Sequence, residues 1–444
     1  MKKISVNEFN ERRTRLMEQM KPGSIAIIPS ATETIRNNDV HYPFRQNSDF
    51  QYLTGFEEPD ALAVLMPGRA QGEYILFVRD KDKEREIWDG YRAGPDVVVK
   101  DFAADDAFPV DDIDDILPGL MEGKSRVYAH MGVDPGFDHQ LMNWLNQIRS
   151  KVRQGAVPPD DFSDIAHLLH DMRLIKSKQE IAIMADAAKL SAAAHTRAMS
   201  VCKPGMFEYQ LQAEIEHLCM MGGSRLPAYS AIVGSGKNSC ILHYVENNQK
   251  MRNGDLVLID AGAELQCYAS DITRTFPVNG RFSEEQRIIY ELVLKSNYAA
   301  IDAVKPGAHW NEPHEIVVRV LTEGLVELGL MQGDIDELIE EEAYKEFFMH
   351  KTGHWLGMDV HDVGDYKIGG EWRVLEPGMV LTIEPGIYIS PDNDRVEERW
   401  RGIGVRIEDD VVVTRDGCEV LTKDVVKDIG AIEALMADGQ QNLF

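Results

Sequence analysis

The chain has 444 residues, with 47 basic against 74 acidic side chains and a formal net charge of −27 at pH 7. That length exceeds what one hydrophobic core usually supports, so two domains are expected. The negative balance argues against a nucleic-acid partner or an anionic membrane surface. The five cysteines, Cys202, Cys219, Cys240, Cys267 and Cys418, are odd in number, scattered and form no C-x-x-C pair. They argue against a disulfide framework or a zinc-thiolate site and for a reducing compartment.

After Met1-Lys2-Lys3 the chain turns polar at once, without the apolar segment of a signal peptide, and no run reaches the roughly 18 apolar residues a membrane span needs. The expectation is a cytoplasmic protein. Ser5-Val6-Asn7-Glu8 reads as a capping box opening an amphipathic helix that ends near Lys21-Pro22-Gly23. Strand patterns at residues 25–28, 61–66, 74–78 and 126–129 alternate with helical patterns at 111–121 and 137–152, which describes an α/β domain. Residues 36–59 read as a packed polar and aromatic loop, and the acidic stretch 96–115 as a solvated face and loop. Two prolines and two acids at residues 157–161 mark a boundary, followed by a connecting helix from Ser163. The domains are expected at residues 1–174 and 175–444.

The second domain repeats itself. Ser177-Lys178-Gln179-Glu180 caps a long helix running to Lys203-Pro204-Gly205, and a second helix ends near Gly222-Gly223; Ser283-Glu284-Glu285-Gln286, Lys305-Pro306-Gly307 and a helix ending near Gly329 follow the same plan. Each helix pair precedes acid-bearing strands. The apolar run 256–259 delivers Asp260 into Ala261-Gly262, and the run 267–276, folding back as a hairpin, carries Asp271. Later, the run 379–383 delivers Glu384 into Pro385-Gly386, and a strand over 404–413 carries Glu408. Two pseudo-equivalent halves would thus supply acids to one central cleft.

A single buried acid can be a turn or cap residue, but four together repel unless something positive sits among them. His354, in HKTGHWLGMDVHDVG with His350 and His361 beside it, adds one imidazole. Oxygen-rich donors with a single imidazole suit a harder cation such as Mn²⁺, and five donors are about right for two ions. Gly234-Ser235-Gly236-Lys237 lacks full phosphate-loop spacing and reads as a turn.

In this order and these surroundings, Asp260, Asp271, His354, Glu384 and Glu408 resemble the five metal ligands of the pita-bread metallopeptidases. HWLGMDVHDVG, TIEPGIY and GVRIEDD are most similar to the Xaa-Pro aminopeptidase (aminopeptidase P) branch, and YPFRQNSDF and YLTGFEEP to the N-terminal domain of its bacterial members. The resemblance implies an α/β N-terminal domain plus an α+β pita-bread catalytic domain of the creatinase and methionine aminopeptidase type, with an internal pseudo-twofold repeat. It also implies release of the first residue from peptides with proline second, by a hydroxide bridging two divalent ions, with Mn²⁺ expected.

By the same resemblance, Asp260 chelates one ion, His354 and Glu384 hold the other, Asp271 and Glu408 bridge them, and Glu384 also shuttles the proton. His361 donates a hydrogen bond to the tetrahedral intermediate and His243 sits beside the substrate. The pocket for the proline ring is assigned to His243, His350, His361 and Tyr388, with Tyr229 beside it. Arg406, on the strand face of Glu408, either orients the acids or makes a structural ion pair. The family's bacterial members associate through the N-terminal domain, which makes a homo-oligomer, dimer or tetramer, the expectation; Trp88 in REIWDGYRAGP is the candidate to reach a neighbour, the other reading being a buried packing residue. Peptides with an Xaa-Pro N-terminus are the expected partners, with no nucleic acid and no membrane.

Other readings are a prolidase acting on Xaa-Pro dipeptides, a methionine aminopeptidase, which leaves the long N-terminal domain unexplained, and a creatinase-like hydrolase, disfavoured by the complete ligand set. A non-catalytic peptide-binding module of the same fold is disfavoured on that ground too.

Overall fold

The computed structural model describes residues 2–441. They gather into two compact units, one spanning Ile4–Arg173 and the other beginning at Leu174 and including Lys3.

In the first unit six strands form one mixed sheet, in the order Asp106–Pro109, Tyr74–Val78, Leu62–Leu65, Ser24–Pro29, Arg126–Ala129, Asp161–Asp164. Ser24–Pro29 pairs antiparallel with Leu62–Leu65 and parallel with Arg126–Ala129. Parallel neighbours need a crossover, and the helices Ile113–Met121 and Pro135–Ser150 lie on the paths that provide them. Their Leu117, Met121, Leu141, Trp144 and Ile148 pack on Ile25, Ile27, Val64, Ile75 and Phe77.

Three expectations fail in this unit. The acidic stretch is ordered: it holds the helix Gly94–Asp101, which buries Val98, and the edge strand Asp106–Pro109. Asp105 is not merely solvated, since its carboxylate accepts from the backbone N–H groups of Glu73 and Tyr74 at 2.8 and 2.9 Å. The supposed loop 36–59 contains the helix Ser48–Thr54, capped by Asn47; all seven residues are buried, so it has no polar face to betray a helical period. The connecting helix starts at Ala166, because Ser163 belongs to the strand Asp161–Asp164.

The second unit is built as two similar halves. Lys178–Val201 and Glu208–Met221 form the first helix pair, Glu284–Ala303 and Glu312–Glu327 the second. Ser177 and Ser283 each close a capping box, with Glu180 and Gln286 respectively. Gly205 and Gly307 each donate their N–H to a strand-side carbonyl, of Met251 and Leu375, at 2.9 and 3.0 Å. The helix pairs also meet alike: a Cβ at Gly222 would fall 2.3 Å from Leu190, and one at Gly324 would fall 2.3 Å from Leu292. The same leucine-on-glycine contact sets the helix spacing twice.

Each half then contributes strands. Leu256–Asp260 lies between Thr273–Pro277 and Ile232–Ser235, while Asp409–Val413 lies between Val380–Ile383 and Cys418–Val420. Two long strands expected from the sequence are broken at their acids. In the run 267–276 only Tyr268–Ala269 and Thr273–Pro277 are extended pairs, because the N–H of Asp271 turns to the Asp410 carboxylate at 3.1 Å. The run 404–413 splits into Gly404–Arg406, paired with Gly386–Tyr388, and Asp409–Val413, paired with Val380–Ile383. At the change of partner the Glu408 N–H donates to the Thr273 carbonyl at 3.1 Å. Each half therefore pins an acid of the other.

Candidate functional site

Asp260 ends its strand and is followed by a tight approach: a Cβ at Gly262 would fall 1.7 Å from the Ser270 carbonyl oxygen, so only glycine lets the two arms of the hairpin close. That closure brings Asp260 and Asp271 together, and the Tyr229 hydroxyl lies within hydrogen-bond distance of both carboxylates, its one proton available to either. Glu384 enters from the second half, its N–H held by the Thr352 carbonyl at 2.7 Å. Glu408 stands at the sheet crossover and accepts from the Thr273 hydroxyl at 2.6 Å.

These four acids line one cavity of about 780 Å³, together with His243, His350, His354, His361, Tyr229 and Arg406. Leu242, Val245, Val360 and Tyr366 add apolar wall. Tyr388 corrects the expected pocket: it is buried behind the wall, and only its hydroxyl communicates with the cavity, through His350 Nε2 at 2.9 Å and Arg406 at 3.0 Å. Trp88 lies in the first unit and is 84% exposed, which removes the reading as a buried packing residue.

The electrostatics are those of an uncompensated acid cluster. Burial, followed by the fields of Asp271, Glu384 and Asp260, holds the Glu408 carboxyl well above its ordinary range. Burial pushes Glu384 up to about 7 in spite of His354 and Arg406, and raises Asp260 against the pull of Arg406. Asp271 is held low against its burial by His354. Two groups offset them: Arg406, whose Nη2 sits 2.6 Å from Asp260 Oδ2 and whose Nε donates to Thr273 at 3.0 Å, and the His354 imidazole, which, against its burial, the neighbouring acids push up to about 9. One guanidinium and one imidazolium still cannot balance four carboxylates.

The donor set fits divalent metal. His354 Nδ1 bonds the Trp355 carbonyl at 2.9 Å, leaving Nε2 to face Asp271 Oδ2 at 3.5 Å and Glu384 Oε1 at 3.8 Å. Those separations are long for hydrogen bonds and suitable for ligands sharing an ion. Donors of Asp271, His354 and Glu408 all lie within 4.8 Å of one another. His350 differs: its Nδ1 bonds the Lys351 carbonyl at 2.7 Å and its Nε2 the Tyr388 hydroxyl, while burial and Arg406 push it down to about 3, so the ring stays neutral.

Residues 182–415 match metallopeptidase family M24, and residues 9–128 match the aminopeptidase P N-terminal domain. The chain belongs to the aminopeptidase P branch of the M24 metallopeptidases. It is 49% identical over 437 residues to the Xaa-Pro aminopeptidase of Escherichia coli K12, covering 98% of this chain and 99% of that one. Human Xaa-Pro aminopeptidase 3 is 36% identical, with 97% and 86% covered. Among solved structures, the Pseudomonas aeruginosa aminopeptidase PepP superposes with a TM-score of 0.99 at 62% identity, covering 99% of this chain and all of that one. Escherichia coli aminopeptidase P with the inhibitor Pro-Leu superposes at 0.96, at 49% identity and with 99% and 100% covered. Human Xaa-Pro dipeptidase is more distant at 34%. The pita-bread fold with an aminopeptidase P N-terminal domain is therefore the architecture of this chain.

Two contributors, Thr273 and Asp410, escaped the sequence reading, and a third, Tyr229, was placed only beside the pocket. Tyr229 touches the acids rather than only the pocket, Thr273 links Arg406 to Glu408, and the Asp410 carboxylate holds the Asp271 N–H. Asp410 had a signal, the acid doublet directly after Glu408 in GVRIEDD; Thr273 had none.

Proposed function

We propose that the protein is a metal-dependent aminopeptidase that releases the first residue of peptides whose second residue is proline. The observation that carries the reading is the convergence of four carboxylates and one metal-oriented imidazole, from two repeated halves, in a chain half-identical to an Xaa-Pro aminopeptidase over nearly its whole length.

In this reading Asp260, His354 and Glu384 would each hold one of two ions and Asp271 and Glu408 would be shared between them, with Mn²⁺ favoured by the oxygen-rich donors. Two such ions, when bound, acidify a water and polarise the scissile carbonyl. Glu384 takes the proton of the attacking water on its carboxylate and returns it to the departing proline nitrogen. His361, whose ring lies 4.4 Å from that of His354, donates a hydrogen bond to the oxygen that gains charge, and His243, lining the same cavity, flanks the substrate. The free amine is drawn to the acids, which fixes the scissile bond one residue in. Proline has no N–H to satisfy, so a wall of Leu242, Val245, Val360 and Tyr366 can accept its ring without losing a backbone hydrogen bond.

The same reading takes the protein as cytoplasmic, in keeping with five scattered cysteines that form no C-x-x-C pair, and as a homo-oligomer, a dimer or tetramer. Supporting assembly, Ile87, Trp88 and Tyr91 are 81%, 84% and 94% exposed on one short segment, an apolar group that a second copy would cover. Light scattering at micromolar concentration tests this, and a monomer counts against it.

The deciding assay compares Xaa-Pro, Xaa-Pro-Yaa and Xaa-Ala-Yaa after chelation, with and without added Mn²⁺. Turnover should be restored by metal and be best for Xaa-Pro-Yaa. A preference for the dipeptide would transfer the chain to the prolidases, and no turnover of any peptide with two ions bound would reject the peptidase reading.

A further inference from the structure

The N-terminal unit carries its own set of ligand-type side chains. Asp49 stands in the first turn of the helix Ser48–Thr54, His130 directly after the strand Arg126–Ala129, and His170 in the helix Ala166–Leu174. One donor atom of each lies within 4.8 Å of the others. His130 Nε2 is 2.8 Å and His170 Nε2 3.4 Å from the same oxygen, Asp49 Oδ2. Ligands bound to one ion at about 2.0 to 2.2 Å stand roughly 3 to 3.5 Å apart, depending on the coordination angle.

A plain hydrogen-bonded cluster does not account for His130. Its Nε2 is buried and has no hydrogen-bond partner, because Asp49 Oδ2, though close, lies off the axis of the ring's N–H. Its other nitrogen, Nδ1, faces Asp164 Oδ1 at 3.5 Å. An ion at Nε2 would take the place of the proton that Asp49 favours there, while Asp164 holds the Nδ1 proton, as in carboxylate–histidine–metal triads. Arg173 holds Asp49 Oδ1 at 2.8 Å, which turns Oδ2 toward the two imidazoles. The carboxylates of Asp49 and Asp164 face the one guanidinium of Arg173 and favour positive charge at His130, charge that a divalent ion would supply in place of a proton. The His170 side chain is 30% exposed, which leaves solvent access for the remaining coordination positions.

We infer that Asp49, His130 and His170 form a binding site for a first-row divalent ion in the N-terminal unit, distinct from the carboxylate centre. Two nitrogen donors and one oxygen suit Zn²⁺ or Ni²⁺ better than the harder ions that an oxygen-rich cleft prefers.

The test counts metal. Mn²⁺-loaded protein is equilibrated with micromolar free Zn²⁺, and total divalent metal per chain is measured by elemental analysis for wild type, His170→Ala and His130→Gln. His170 is partly exposed and its truncation leaves the core intact; unchanged Mn²⁺-supported turnover before the Zn²⁺ step verifies folding of both variants. Wild type should hold one ion per chain more than either variant. If either variant binds as much metal as wild type, the proposal is overturned.

Discussion

Glu408 and Asp409 are sequence neighbours, 2% and 0% exposed, yet they face opposite electrostatic surroundings. Asp409 accepts from Arg274 at 2.7 Å, Lys427 at 2.7 Å and Thr422 at 2.8 Å, and these cations keep its carboxyl low despite burial. Glu408, pointing the other way, has a threonine hydroxyl and three more acids. On one side the chain closes its buried charge with its own cations; on the other it leaves the charge open. A buried acid that the chain does not balance is a request for a cation from outside.

The comparison breaks most sharply by substitution on the open side. Glu408→Ala should lower turnover by about 10³-fold or more and reduce bound metal below two ions per chain, with unchanged circular dichroism. Full activity with two ions per chain would sink the ligand assignment. Glu384→Gln should lose turnover similarly while retaining part of the metal.

Asp409→Asn should show the converse profile. Metal binding persists, but leaving Arg274 and Lys427 buried without their acid should lower stability by about 3 kcal/mol, read as a shift of the urea midpoint at constant slope. An unshifted midpoint would mean that the closed side contributes little.

Arg406 is the open side's own guanidinium, reaching Asp260, Thr273 and Tyr388 together. Arg406→Lys keeps the charge but cannot make three directed bonds, so kcat/KM should fall about 10- to 100-fold, with weaker metal binding. An unimpaired Lys variant would reduce Arg406 to a charge.

The smallest effect concerns His195, fully buried behind the first hairpin with Nε2 on the Ala261 carbonyl at 2.9 Å. Burial pushes it down to about 4. Because the folded value lies below the unfolded one of about 6.5, the unfolded chain takes up the proton first, and stability is lost as pH falls from 6.5 toward 4. The loss from pH 7 to 5 should be on the order of 2 kcal/mol. His195→Gln keeps a donor to Ala261 without titrating, so its urea midpoint should fall less over that interval; equal slopes would remove His195 from the acid response.

What could be read from the sequence follows the same physics. Asp260 and Glu384 were legible because each ends an apolar run beside glycine, before Ala261-Gly262 and Pro385-Gly386 respectively, and Asp271 and Glu408 because each interrupts a strand-like run. The breaks at Asp271 and Glu408 were not, because local apolar character continues through them and only hydrogen bonds from the other half, from Asp410 and Thr273, end the ladders. Tyr388 was placed in the pocket by resemblance alone, and packing turns it behind the wall. The helix Ser48–Thr54 was invisible because burial on every side erases the amphipathic period.

The exchange of hydrogen bonds between halves also bears on synthesis. Asp271 is positioned by Asp410, and Glu408 by Thr273, so a chain emerging from the ribosome cannot complete the cleft until the strand containing residues 409–413 has been made and has docked. Until then the nascent chain holds at most part of a donor set and no opposing wall. A peptidase assembled in this order stays inert beside the ribosome, where unfolded polypeptide is most abundant, and becomes active only once its own fold is closed.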